Sequence, residues 1–270
     1  RAPPYTDPQE GPVKVGVCLK QVPPSGDSLK VSSEGVDLTD VKMEINAYDE
    51  FALEEALRLK DSKVASEVIV FSIGGKDVEA RMRDGLARGA DRAVRIDDAA
   101  ISAGDNLVQA RAIAAAAKDA GCELILAGML TIDDDDSQIP AMVAEVLGWP
   151  QILVVDKLEI GDGQAKAWRQ AGSGTREVVT CALPAVISAD KGLNEPRYAK
   201  LKGIMMAKRK KIEVKDASAL GLDAATLGSQ VTVSNYGPPA ARPAGRILSG
   251  STAEQVKELV SLLRNEAKVI

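Results

Sequence analysis

The sequence predicts an α/β fold: a mostly parallel sheet with helices on both faces, an antiparallel extension, and a C-terminal arm ending in a helix. Three observations predict it. Apolar runs of strand length alternate with segments of helical periodicity, and the links between them are short. The runs are continuous rather than alternating, as in EVIVFSI (67–73) and LILAGML (124–130), which fits strands buried on both sides. After Trp149-Pro150 the pattern changes to strands separated by GDG and GSG turns.

Val13–Val22, VKVGVCLKQV, is a β-branched first strand that ends in the Pro23-Pro24-Ser25-Gly26-Asp27 loop. Leu29–Leu38 reads as a short hairpin or excursion with Gly35 as its turn. Asn46 is an N-cap candidate with Asp49 three residues on, and Leu53, Ala56 and Leu57 share the face of the helix behind it. Glu67–Ile73 is the second strand, and Gly74-Gly75-Lys76-Asp77 turns it into a helix reaching Arg88. Ala93–Ile96 is the third strand. An Ala-rich helix spans about Asp105 to Asp119. Leu124–Leu130 is the fourth strand, Thr131–Asp136 a loop, and Ser137 the expected cap of a helix with Ile139, Met142, Val143 and Val146 on one face. Pro140 is tolerated in that helix's first turn.

Gln151–Ile160, Ala165–Arg169, Arg176–Leu183 and Ala185–Ala189 form the expected extension. Lys208–Gly250 reads as a long irregular arm. Ser251 and Glu254 make a capping box for a helix with Val256, Leu259, Val260 and Leu263 in one stripe. The organisation is a disordered arm over 1–12, one α/β domain over 13–207, and an arm and helix over 208–270.

Composition narrows the function. With 45% hydrophobic and 27% charged residues the chain is an ordinary globular one. It has no histidine, which removes Ser-His-Asp and Cys-His catalysis and the commonest metal ligand. Cys18, Cys122 and Cys181 form no CxxC pair and read as buried thiols. A net charge of −5 and 3% aromatics disfavour a nucleic-acid surface, although Lys208–Lys211 is locally basic. No apolar run approaches ~20 residues, so no membrane span is expected.

Ligands of open α/β sheets sit beyond the carboxyl ends of the strands. The loops Cys18–Ser25, Ile73-Gly74-Gly75 and Gly128–Ile139 should meet there, with Asn46-Ala47-Tyr48-Asp49 closing the pocket. The helix starting near Ser137 offers free N–H groups to a phosphate. The acids Asp133–Asp136 repel phosphate but accept hydrogen bonds from ribose hydroxyls, so one phosphate is easier to place than three. Two other readings of these acids stay open: simple helix capping, and a Mg²⁺ site. Neither GxGxxG nor GxxxxGK[ST] is present.

The segment GLNEPRYAKLKGIMMAKRKKI (192–212) carries the second candidate site. A turn at Asn194-Glu195-Pro196 precedes a short helix in which Leu201, Ile204 and Met205 share a face, with Met206 beside them. Lys200, Lys202, Lys208, Arg209, Lys210 and Lys211 ring that strip. An adaptable Leu/Met surface among cations suits a partner with an apolar pocket and acidic rim. A core helix with a solvated basic tail is the other reading.

NEPRY, the Leu-Ile-Met helix and KRKKIEV together resemble the β subunit of electron transfer flavoprotein, and the likeness extends from Lys14 to the C-terminal helix. The resemblance implies an adenine-nucleotide-binding α/β fold and a heterodimer with an α subunit that holds most of the redox FAD. It implies an AMP of structural role held by Cys18, Asn46, Ala47, Tyr48, Asp49, Ile73, Gly128, Met129, Leu130, Thr131, Ile132, Asp133, Asp134, Asp135, Asp136, Ser137, Gln138 and Ile139. It implies docking of FAD-dependent dehydrogenases through Arg197, Tyr198, Leu201, Ile204 and Met205, with Leu201 as the anchor, and delivery to a quinone oxidoreductase or similar acceptor.

Bacterial cytoplasm or mitochondrial matrix would be the compartment. Members that bifurcate electrons hold a second FAD where AMP sits and tend to have Gly in place of Asp134, so AMP is favoured here. The chain departs from the family at Ala47-Tyr48, where NPF is usual, at Pro24 and Ser25, and at Gln170. The competing function is a stand-alone adenine-nucleotide binder or ATP-using enzyme of similar fold.

Overall fold

The computed structural model describes residues 11–25, 29–33, 35–237, 240 and 244–270. The expected N-terminal arm lies mostly outside them. Two compact units are present: Asp37–Ser234 with the described residues up to Lys30, and Val31–Val36 with Asn235–Ile270.

β1 (Val13–Cys18) buries Val13, Val15 and Val17. It is shorter than the expected Val13–Val22, because at Lys20 the backbone N–H leaves the ladder and donates to the Asp49 carboxylate at 2.8 Å. β2 (Gln21–Val22) pairs instead with β5 (Glu44–Ile45) in a separate antiparallel ribbon. β3 (Lys30–Ser32) and β4 (Gly35–Asp37) form the foreseen hairpin, with Gly35, at φ +144°, opening the second strand rather than making the turn.

α1 (Ala47–Asp61) follows β5, then β6 (Ala65–Ile73), a 3₁₀ turn at Lys76–Val78 and α2 (Glu79–Arg88). β7 (Arg92–Ile96) leads to a short α3 (Ala99–Ser102), too brief to show a helical period, and to α4 (Asn106–Asp119). Carboxylates of Asp98 and Asp105 cap these two helices. β8 (Leu124–Gly128) is buried throughout, and α5 (Ile139–Leu147) carries Pro140 in its first turn. Ser137 does not cap α5: it sits at φ +57° and Gln138 precedes the helix. Pro140, Val143 and Ala144 are its buried residues, Leu147 packs against the same core, and Val146, expected on that face, is 42% exposed.

β9 (Gln151–Gly161), β10 (Gln164–Gln170) and β11 (Arg176–Ala182) form the antiparallel extension. β12 (Ala185–Ala189), expected within it, runs parallel between β8 and β9 in the core. All five of its residues are buried, as two-sided packing requires. β9 changes partner along its length, and Val154 (φ +62°) marks the switch, its N–H donating to Ser188 Oγ at 2.8 Å.

α6 (Leu201–Ala207) and β13 (Glu213–Lys215) complete the first unit. β13 pairs parallel with β7, so the chain after Lys208 enters the sheet where an irregular arm was expected. The nine-stranded order is β11-β10-β9-β12-β8-β1-β6-β7-β13. In β6, Val68 and Val70 join one core cluster with Leu53 of α1 and Met82 of α2, while Ile69 and Phe71 join another with Ile113 of α4 and Val143 of α5. Alternate residues therefore serve opposite faces, and helices cover both.

In the second unit α7 (Thr252–Asn265) begins with the foreseen capping box, the Ser251 N–H donating to the Glu254 carboxylate at 2.8 Å. None of its side chains is buried.

Gly203 explains the seat of α6. A Cβ there would stand 2.1 Å from the Ala87 carbonyl oxygen at the end of α2. Glycine inside a helix costs about 1 kcal/mol against alanine, and here it permits backbone-to-backbone approach. Arg83 Nη1 donates to the carbonyls of Ala207 (2.8 Å) and Lys210 (3.2 Å), satisfying the end of α6. Gly203→Ala is expected to lower the urea midpoint by the equivalent of roughly 1–3 kcal/mol. A higher midpoint, as helix propensity alone would give, would refute the close-approach account.

Candidate functional site

The carboxyl ends of β1, β6 and β8 open into a cavity of about 340 Å³, a size suited to a small ligand. Its walls come from the three loops expected to meet there and from the start of α5. Cys18, Asp49, Ile73, Gly128, Leu130, Thr131, Asp134, Asp136, Ser137, Gln138 and Ile139 line it. Asn46, Ala47, Tyr48, Met129, Ile132, Asp133 and Asp135 are not among the lining residues.

Asn46 does not cap α1 with its side chain. Its amide nitrogen donates to the Leu130 carbonyl (2.8 Å) and its amide oxygen accepts from the Ile132 N–H (3.2 Å), so it holds the loop after β8 as a strand neighbour would. Asp49 likewise forms no capping box. Its two oxygens accept the N–H groups of Lys20 (2.8 Å) and Gly128 (2.9 Å), joining the ends of β1 and β8. Gly128 is glycine because a Cβ would stand 2.6 Å from Asp49 Oδ1 and 2.7 Å from Tyr48 Cβ. Burial pushes the Asp49 carboxyl up to about 7, against the opposing pull of those two N–H groups. Burial also raises the Cys18 thiol, so no thiolate faces the cavity at neutral pH.

The loop after β8 is tightly wound: the Asp135 N–H donates to the Thr131 carbonyl at 2.8 Å, and Asp135 and Ser137 have φ of +52° and +57°. Lys20, which the sequence reading missed, reaches into it. Its ammonium bonds Thr131 Oγ1 (3.3 Å), Asp133 (3.0 Å) and Asp134. Burial pulls this ammonium down, and the hydrogen bonds to Asp134 and Asp133 outweigh it, leaving it above the usual lysine value. Asn106, at the start of α4, holds Asp136 and Gln138. Phe71, Gln21 and Gln109 also line the cavity and were missed. Phe71 and Gln109 lie inside regular elements where periodicity reports only burial, and their nearness to the cavity is a matter of where the elements stop.

The second candidate site is fastened to α1. The turn before it forms at Asp190–Leu193, with Gly192 at φ +94°, three residues earlier than expected. Asn194 donates to the Phe51 carbonyl (3.0 Å) and to Glu55 (2.9 Å). Arg197 forks onto the buried Glu54 (2.8 and 2.9 Å), pairs with Asp61 at 2.8 Å, and gives its own N–H to Glu54. The side chain of Arg197 is thus held within the chain. What faces solvent is Tyr198 (92% exposed), Leu201 (75%), Met205 (58%), Met206 and Ile204. Only Ala207 of α6 is buried, which excludes the core-helix reading. Lys210 turns inward to the Ala90 carbonyl (2.6 Å), and burial lowers its pKa.

A family model described as Electron transfer flavoprotein domain matches residues 35–220, more than half of the chain. The chain belongs to the electron transfer flavoprotein family. It is 38% identical over 260 residues to a protein of Bradyrhizobium diazoefficiens, covering 96% of this chain and all of that one. It is 40% identical over 230 residues to one of Bacillus subtilis (84% and 88%), and 37% over 243 residues to one of Sus scrofa (89% and 92%). Each carries the name electron transfer flavoprotein subunit beta. The electron transfer flavoprotein match covers the second candidate site and the cavity walls after residue 35, leaves out the end of β1 with Cys18 and Lys20, and ends before α7.

The raised Asp49 carboxyl has a consequence for stability. Its folded pKa of about 7 lies above the ordinary 3.8, so the native state holds a proton that the unfolded chain has released. The contribution is present below about pH 4 and is lost as pH rises through about 7. Relative to Asp49→Asn, the parent chain should therefore lose stability across that window. Urea unfolding at a series of pH values checks this, and a constant difference between the two proteins would contradict it.

Proposed function

We propose that this chain is the β subunit of a heterodimeric electron transfer flavoprotein and not a free-standing enzyme. Its partner is an α subunit holding most of the FAD, which supplies the redox chemistry when bound. Electrons would come from FAD-dependent dehydrogenases and pass to a quinone oxidoreductase or similar acceptor. One observation carries the reading: α6 turns its large apolar side chains to solvent while Gly203, Arg83 and the Arg197–Glu54 fork fix its backbone. Exposed, pre-positioned Leu and Met side chains are what a binding anchor requires.

AMP fits the cavity. The start of α5 presents backbone N–H groups to one phosphate. Asp134 and Asp136 stand on the cavity wall as acceptors for ribose hydroxyls, and the aromatic ring of Phe71 and the side chain of Ile73 offer apolar surface. Asp134, where a glycine would leave more space, favours AMP over a second FAD. The apolar stripe of α7, with Val256 55% and Leu259 47% exposed, is assigned to the α subunit. No helix among the described residues is long and apolar enough to cross a membrane. Bacterial cytoplasm or mitochondrial matrix is the proposed compartment, and a relative from Arabidopsis thaliana is named as mitochondrial.

Leu201→Ala is expected to raise the apparent KM of a partner dehydrogenase for the flavoprotein by about tenfold or more, leaving the flavin spectrum and the heterodimer unchanged. Steady-state dye reduction through the purified heterodimer measures it, and an unchanged KM would count against the docking role. Truncation before Ser251 should shift the size-exclusion profile from heterodimer towards separate chains. An unaltered profile would remove α7 from the interface.

A further inference from the structure

Lys20 occupies a singular place in the cavity wall. Among the described residues lining the cavity it is the only cation, and it shares that lining with Asp49, Asp77, Asp134 and Asp136. It is held at both ends. Its backbone N–H is taken by Asp49 at 2.8 Å, and its ammonium spans to the loop after β8, bonding Thr131, Asp133 and Asp134. The side chain thus ties the end of β1 to the acidic loop across one wall of the cavity.

We propose that Lys20 sets the charge of the cavity and so selects a nucleotide bearing a single phosphate. This rests on the cavity being a nucleotide site. Without an ammonium between them, the acids of the loop would present unrelieved negative charge to any anion entering beside them. With it, the acids are neutralised in part. With the ammonium's three N–H groups given to Thr131, Asp133 and Asp134, the start of α5 is what remains for a phosphate, and it can serve one. Each further phosphate adds negative charge beside Asp77, Asp134 and Asp136, and the lining residues offer no second cation to meet it. The same lysine that admits a monophosphate therefore leaves a triphosphate unmatched.

The test uses the heterodimer freed of nucleotide, as parent, Lys20→Gln and Lys20→Arg, titrated calorimetrically with AMP, adenosine and ATP, with circular dichroism and flavin content confirming the fold. The parent should bind AMP at least about tenfold more tightly than ATP. Lys20→Gln should weaken AMP by about ten- to a hundredfold, the size expected when the Asp133 and Asp134 carboxylates are left uncovered beside a phosphate. It should leave adenosine within about twofold, because adenosine brings no charge. Lys20→Arg should keep most of the AMP affinity. Unchanged AMP binding in Lys20→Gln, or equal parent affinity for AMP and ATP, overturns the proposal while leaving the nucleotide site standing. Parallel loss of AMP and adenosine in Lys20→Gln overturns it in favour of a structural role. Failure of the parent to bind either one removes the nucleotide reading itself.

Discussion

The first turn of α1 holds the structure's working parts together. Asn46 and Asp49 are buried polar groups, and buried polar groups must find partners. They find them on two strand ends at once: Asn46 on the loop after β8, Asp49 on both Lys20 and Gly128. Either side chain used as an ordinary helix cap would leave those backbone groups unmatched and the loops free to separate. The cavity thus owes its shape to one side chain in its wall, Asp49, and one outside its lining, Asn46.

The same helix serves the other site. Glu54 and Glu55, both buried on α1, bind Arg197 and Asn194. A buried carboxylate without a cation is costly, so the Glu54–Arg197 fork fixes the approach to α6 with some force. Gly203 then allows α6 to lie against the end of α2, and the large side chains of α6 have nowhere to go but outward. An apolar surface in this position is pre-ordered, which spares a partner the entropy of arranging it. The frame of α1 therefore sets both the cavity at the strand ends and the exposed apolar face of α6.

Much of this was legible in the chain alone. The alternation of continuous apolar runs with amphipathic segments determined the parallel sheet, its two covered faces and the meeting of three loops beyond the strand ends, because hydrophobic periodicity is a local property of sequence. The Ser251–Glu254 capping box was readable for the same reason. Leu201, Ile204 and Met205 could be placed on one face by spacing, and NEPRY with the basic run tied them to a family.

Tertiary structure decided what depends on long-range neighbours. Spacing puts Leu201 and Met205 side by side, but burial against solvent is settled by Gly203 meeting Ala87 and Arg197 meeting Glu54, far apart in sequence. β12 and β13 joined the parallel sheet because open strands stood beside them, at β8 and β9 for one and β7 for the other. Asn46 and Asp49 looked like caps, since their local pattern is that of a cap, and became clamps when the ends of β1 and β8 came within reach. Lys20 showed no local mark at all: its meaning lies in acids more than a hundred residues away. Periodicity reports which way a side chain faces, and only the packed chain brings the partner that decides what it does there.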